Sequence, residues 1–272
     1  MKKYSSKHSR VEDKVDAELK TNIKNNLSFY ITIGVAGVLL ITSLTVLIFT
    51  FLGRKDNYDQ FKNKDTATVD PDTGYVNNPI DFDELKKINP DICAYIQVDG
   101  TITDNPILQS SDDADDNFYL DHDENGNERR AGSIYIQKMN DSNFTDSNTL
   151  IYGHNMLNGT MFGQLKKFKN KDFFNENRNI YVYIPGHVLQ YEIISAFIYD
   201  DRHIMNSFNF DDEEEQMEFF NECLNPSSFT KQVLEGATLD EDDRIITLST
   251  CTNNASERYL VIGKLINDIP TN

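Results

Sequence analysis

The sequence predicts a mainly β domain, a barrel or a sandwich, carried behind a single membrane-spanning helix. Three observations point there. An uncharged run of 24 residues, Phe29 to Leu52, lies close to the N-terminus. From Ile92 onward, short runs rich in Ile, Val, Tyr and Thr are separated by turn residues. These runs do not alternate regularly with helical segments, which argues against a doubly wound parallel sheet.

The N-terminal run is long enough, at ~1.5 Å per residue, to cross ~30 Å of hydrocarbon. It is too long for the apolar stretch of a signal peptide and lacks a small-residue cleavage site, so a retained anchor is expected. Residues 1–28 hold seven Lys or Arg against four acids, whereas only Arg54 and Lys55 immediately follow the span. The basic side stays in the cytoplasm, which puts everything after residue 53 outside. The expected organisation is a basic cytoplasmic tail at 1–28, a transmembrane helix at 29–52, a linker at 53–78 and one extracellular domain at 79–272. The linker is rich in Asp, Asn, Lys and Thr and has almost no apolar periodicity.

The first domain element is a short helix. Asp81 and Glu84 have capping-box spacing, Phe82, Leu85 and Ile88 recur at helical intervals, and Pro90 ends the pattern. Strands are expected at 92–98, 105–108, 132–137, 148–152, 179–184, 188–199, 244–250 and 258–266. Two helices interrupt them. One is expected from Met161 to Lys169 and one from Asp212 to Leu224, with Met217, Phe220 and Leu224 as apolar stripe and the acids at 211–215 suiting its N-terminal end.

The net charge is −18, and without the basic tail the remainder carries about −21. That balance argues against a nucleic-acid partner, which needs a basic footprint. Three cysteines are an odd count for an extracellular domain, so at least one is unpaired. Cys93 in an apolar run and Cys223 on an apolar helix face read as small buried hydrophobes, and a bridge between them stays open. There is no C-x-x-C pair to suggest a structural zinc site. Asp121 to Gly126 matches the first half of a calcium loop, but Gly132 stands where its bidentate Glu should be. An acidic Asn-Gly turn accounts for it, and neither metal nor cofactor is expected.

The chemistry concentrates on Cys251. Along its strand Ile246, Leu248 and Thr250 share one face, while Ile245, Thr247, Ser249 and Cys251 share the other. If Ile246 and Leu248 face the core, Cys251 emerges at the strand end on the polar side. On the next strand Tyr259, Val261 and Leu265 form the apolar face, leaving Arg258 opposite with Leu260 and Ile262. The connection 252–257 could fold the two strands into a hairpin and bring Arg258 to Cys251. His154 follows the run 148–152 and a Gly, so it sits just past a strand end. His8, His122, His187 and His203 lie in tail, turn or polar-loop settings. A thiol, an imidazole and a guanidinium suffice for nucleophilic acyl transfer.

Thr247-Leu248-Ser249-Thr250-Cys251 with Arg258, and Tyr152-Gly153-His154-Asn155-Met156 and Gly159-Thr160-Met161-Phe162-Gly163 upstream, resemble a sortase of class B. Phe82 to Leu85, Asn89 to Ile92, Asp99 to Thr101 and Ala131 to Tyr135 add to the resemblance, which covers roughly residues 80 to 266. It implies an eight-stranded barrel with a helix between the sixth and seventh strands, where Asp212 to Leu224 falls. It implies Cys251 as nucleophile, His154 as general acid and base, Arg258 as oxyanion stabiliser and Ser249 as a groove-lining residue. The implied partners are surface proteins bearing a C-terminal sorting signal, cleaved after Thr, and an amine of a peptidoglycan precursor at a Gram-positive cell surface. Two other readings stay open: a membrane-tethered cysteine peptidase or amidase, and a non-catalytic anchored β-domain. The chain order His154, Cys251, Arg258 is unlike that of papain-like enzymes, which place Cys first.

Overall fold

The computed structural model describes residues 30–45, 62, 75–111 and 113–272. The chain divides into two compact units, residues 1–59 and 60–272. In the first, residues 30–45 form helix α1, with Tyr30, Leu40 and Ile41 among its exposed side chains. Thr42, Ser43 and Thr45 donate their hydroxyls back to carbonyls three or four residues earlier, so this helix leaves none of these hydroxyls unsatisfied. No helix of the described residues is long and apolar enough to cross a membrane. The rest of the expected 29–52 span, the 1–28 tail and most of the 53–78 linker lie outside the described residues.

The second unit starts with helix α2, Phe82–Ile88. The Asp81 side chain accepts from the Glu84 N–H at 3.0 Å, as the capping spacing predicts, while Phe82 and Leu85 bury its apolar side. Nine strands follow: β1 (Ile92–Val98), β2 (Asp104–Gln109), β3 (Ile134–Ile136), β4 (Asn148–Tyr152), β5 (Asn179–Ile184), β6 (His187–Asp200), β7 (Lys231–Val233), β8 (Ile245–Cys251) and β9 (Glu257–Pro270). Their order is β5-β1-β2-β3-β4-β8-β9-β6-β7, and β5 also pairs with β6. That last pairing closes eight strands into a barrel and leaves β7 as an addition on β6. Strands β2 and β3, and β4 and β8, run parallel; the other neighbours are antiparallel.

The barrel interior is filled by Ile96, Ile107, Ile136, Val182, Ile246, Leu248 and Val261 among others. A second apolar layer lies on the outer face of β4, β6, β8 and β9, where Leu150, Phe197, Ile245, Leu260 and Ile262 pack with Phe219, Phe220 and Cys223. The last three come from α5 (Glu213–Leu224), which lies between the sixth and seventh barrel strands β6 and β8. Asp212 caps it by accepting from Glu214 and Glu215 N–H groups at 3.1 Å. Its buried face is Gln216, Phe219, Phe220 and Cys223, one residue round from the expected stripe, with Met217 and Leu224 at the margin. Each Phe buried there stabilises the layer by about 1.5–3 kcal/mol.

The helix expected over Met161 to Lys169 is not formed as such. Residues Leu165–Lys169 make a 3-10 helix, and an α-helix, α3, follows at Lys171–Glu176. Met161 has φ +52°, and a Cβ on Gly163 would stand 2.3 Å from the Met156 carbonyl oxygen. The stretch before Leu165 is therefore a tight turn folded back on 154–156, which a helical backbone cannot make. A short helix α4 at Ile204–Ser207 and strand β7 were not anticipated; β7 carries no apolar alternation and is held by backbone pairing with β6.

Candidate active site

Because β4 and β8 are parallel neighbours, their C-terminal ends reach the same end of the barrel. Tyr152 is the register partner of Ser249, and the Gly153 N–H donates to the Ser249 carbonyl at 3.2 Å. Thr250 is buried and donates its hydroxyl to the Gly153 carbonyl at 2.6 Å. His154 thus stands just past the end of β4, and Cys251 is the last residue of β8, on two strands clamped side by side. On the other flank of β8, Cys251 is paired directly with Arg258 of β9. The turn between them holds itself closed, with Asn254 and Thr252 donating to the Glu257 carboxylate at 3.0 and 3.2 Å.

The expected parity holds: Ile246, Leu248, Tyr259 and Val261 face the barrel interior. The opposite face is not, however, an open polar surface. Ile245, Leu260 and Ile262 lie under the outer apolar layer, and Thr247 and Ser249 are buried as well. Only at the strand end does the cover stop, and there Cys251 is exposed. The three cysteines are all free. Burial pushes the Cys93 thiol up to about 12, and it donates to the Ile107 carbonyl at 3.5 Å. Burial also raises Cys223 well above an ordinary thiol. Cys223 is buried and Cys93 half-buried, so Cys251 is the exposed thiol of the three.

His154 donates Nε2–H to the Leu120 carbonyl at 2.8 Å; a carbonyl can only accept, so Nδ1 is the nitrogen left to gain and lose a proton. Its backbone is fixed by the folded-back turn, where Met156 and Phe162 both donate N–H to the His154 carbonyl. Gly153 is required there, since a Cβ would meet the Phe162 ring at 2.7 Å. Asn155 reaches across to donate Nδ2–H to the Cys251 carbonyl at 3.0 Å, tying the two strand ends together.

Arg258 donates Nη1–H groups to the Ala255 and Glu257 carbonyls at 2.9 and 3.0 Å. A guanidinium has five N–H groups, so those on Nε and Nη2 have no partner among the described residues. The wall beside the site is aromatic: Tyr135 and Tyr152 stack with centroids 5.3 Å apart. Burial raises both phenols, that of Tyr152 against the pull of the nearby Arg258 charge. Gln137 accepts from His203 at 2.7 Å and from Tyr152 at 3.4 Å, and donates to Asn117 at 2.9 Å.

The site residues expected from the sequence, Cys251, His154, Arg258 and Ser249, all gather at this end of the barrel. Asn155 and the Leu120 carbonyl, which hold Cys251 and His154, were not among the expected site residues. Asn155 follows His154 directly, but its reach depends on the turn, and the Leu120 carbonyl leaves no trace in side-chain pattern. The 121–126 segment is a turn in which Asp123 accepts from Asn125 and Asn127 N–H groups at 2.9 and 3.0 Å.

Residues 96–266 match the family described as the Sortase domain. Sortase B of Listeria monocytogenes is 30% identical over 247 residues, covering 83% of this chain and 95% of the relative. The X-ray structure of Clostridium perfringens sortase B is 34% identical with a TM-score of 0.59, over 68% of this chain and all of that one. A Staphylococcus aureus sortase B–substrate complex is 27% identical with a TM-score of 0.60, over 69% of this chain and 85% of that one. With a family match over most of the barrel and relatives of one class, the chain belongs to the sortase family, class B, the cysteine transpeptidases that anchor surface proteins.

Proposed function

We propose that the protein cleaves a C-terminal sorting signal after a Thr, carries the released chain as a thioester on Cys251 and passes it to an amine of a peptidoglycan precursor. The observation that supports this most is that Cys251, the exposed thiol, is the direct partner of Arg258 and ends the strand paired with β4, just past which His154 stands. The Staphylococcus aureus sortase B solved as a substrate complex supports a substrate of the sorting-signal kind for this chain.

In the first half-reaction the Cys251 thiolate attacks the Thr carbonyl carbon and the C=O electron pair moves onto oxygen. The unpartnered N–H groups of Arg258 meet that charge together with backbone N–H groups. His154 gives its proton to the departing amine, the C–N bond breaks and a thioester remains. In the second, the acceptor amine attacks the thioester, the C–S bond breaks to restore the thiolate, and His154 takes the amine proton. Ser249, the expected groove-lining residue, is on the Cys251 face two residues back but is buried, so the donor would meet it only at the strand end beside Cys251.

The domain works outside the cell, held to the membrane by the uncharged run 29–52, of which the described part is helical with exposed apolar side chains. A Cys251→Ala variant should lose cleavage of sorting-signal peptides while keeping its thermal melt, and mass spectrometry should find the donor fragment on Cys251 of the wild type. Retained turnover in Cys251→Ala overturns the reading. Water-only products with an amine in excess would instead make the protein a peptidase.

A further inference from the structure

The row that begins with Cys251 does not end at Arg258. Arg258 is itself the register partner of Tyr199 on β6, and directly opposed residues of antiparallel strands share a face. Cys251, Arg258 and Tyr199 therefore line up across three strands, Tyr199 about 10 Å from Cys251 at two strand spacings. At Tyr199 a cleft of about 420 Å³ opens, walled by Tyr199, Asp200, Arg202, Glu222, Phe229 and Glu257, with the Arg202 guanidinium 5.3 Å over the Tyr199 ring.

Its charges do not cancel. Asp200 is neutralised by Arg202, which donates Nε–H and Nη2–H to it at 2.8 and 2.6 Å. Glu257 accepts only from the neutral Thr252 and Asn254 side chains. No side chain of the described residues bonds the Glu222 carboxylate. Two negative charges are left facing the cleft. Independently, Tyr199 is only 6% exposed and its hydroxyl has no hydrogen-bond partner, a state buried polar groups rarely keep. On the rim the Phe229 ring stands wholly in solvent.

We propose that this cleft binds a primary ammonium group of a peptide substrate, with Glu222 and Glu257 supplying the charge, Tyr199 an oxygen acceptor and Phe229 a π face. The proposal rests on the transpeptidase reading above. Two sources carry such a group to this distance. One is the acceptor, whose amine is mostly protonated at neutral pH and must be captured before it is deprotonated at the thioester. The other is a Lys side chain of the donor about three residues from the scissile bond, since ~3.3 Å per extended residue spans the same ~10 Å.

The test uses the full-length protein in detergent and its Glu222→Gln and Tyr199→Phe variants, with Glu218→Gln on the same helix as charge control. Donor peptides carry Lys or Gln three residues to either side of the Thr carbonyl; acceptors are triglycine and hydroxylamine, which is uncharged at neutral pH. Glu222→Gln should raise the KM of one ammonium-bearing substrate about fivefold, Tyr199→Phe should raise the same one, and the Gln donors and hydroxylamine should be unmoved. A shift for triglycine assigns the cleft to the acceptor, and a shift for a Lys donor assigns it to the donor. Equal shifts in Glu218→Gln, or none in Glu222→Gln while Cys251 still forms its thioester, overturn the cleft alone. Absence of the thioester in the wild type overturns the transpeptidase reading and the cleft with it.

Discussion

Cys251 and Arg258 face each other as direct partners on β8 and β9, next to the turn that joins the two strands. Side chains so opposed start about 5 Å apart, and the ladder behind them, from Ile245 paired with Lys264 up to Thr250 paired with Tyr259, fixes that separation. The guanidinium is thus positioned by sheet register, and its two bonds to the Ala255 and Glu257 carbonyls only set which edge it presents.

Arg258→Ala should lower kcat/KM for a fluorogenic sorting peptide about 10²- to 10³-fold, the usual loss when an oxyanion donor is removed. Arg258→Lys should recover little, because an ammonium keeps the charge but loses the planar fork that can bond backbone carbonyls and an oxyanion at once. Thermal melts of both variants should match the wild type, since the side chain is only half-buried at a strand end. Full activity in Arg258→Lys would mean that charge alone is used.

A second prediction concerns a residue with no functional atom of its own. Gly132 has φ +51°, and a Cβ there would stand 2.2 Å from the Leu120 carbonyl oxygen and 2.6 Å from that of Tyr119. The Leu120 carbonyl is the group that holds His154 Nε2–H. Gly132→Ala should therefore reduce turnover at least ~10-fold by displacing that acceptor, and should lower Tm as well. Gly126→Ala makes the comparison: φ is +75° but nothing lies within 4 Å, so about 1 kcal/mol of backbone strain is expected with activity intact. Equal activity in the two variants would separate His154 from the Leu120 contact.

What could be read from the chain divides along a physical line. Strands β1, β4 and β5 fall on the expected residues, since each is a short β-branched or aromatic run bounded by turn residues. That Cys251, His154 and Arg258 would lie at one end of the domain was legible because strand parity and strand ends are local properties. The covering of the Thr247 and Ser249 face was not, as it depends on α5 crossing back over β4, β6, β8 and β9. The failed helix at Met161 shows the same limit from the other side. Met161, Leu165 and Phe168 do bury, at 3%, 0% and 0% exposure, yet the backbone reaches that burial through a turn whose geometry is set by contacts with residues 154–156. Asn155 joins the site through that same turn.

Stability should depend on pH at a cluster away from the chemistry. Asp268 on β9 accepts from His187 at 2.7 Å and from Arg244 at 3.1 Å, tying the end of β9 to the starts of β6 and β8. Partial burial alone would raise its carboxyl, but the hydrogen bonds and charges of His187 and Arg244 outweigh this and hold it below the usual carboxylate value. A carboxyl whose folded value is depressed adds stability that is present above the unfolded value, about 3.9, and is lost as pH falls through the lower folded value. The Asp268 side chain is 35% exposed, so solvent screening reduces the gain to roughly 0.5 kcal/mol. Asp268→Asn should then lower Tm by about 1–2 °C at pH 7, and the gap should close as acid takes the wild-type carboxylate through its folded value. Melts of both proteins from pH 7 down to about 2 check this. A gap that stays constant with pH would assign the loss to packing, because an amide and a protonated carboxyl differ little in shape but only the carboxylate attracts Arg244.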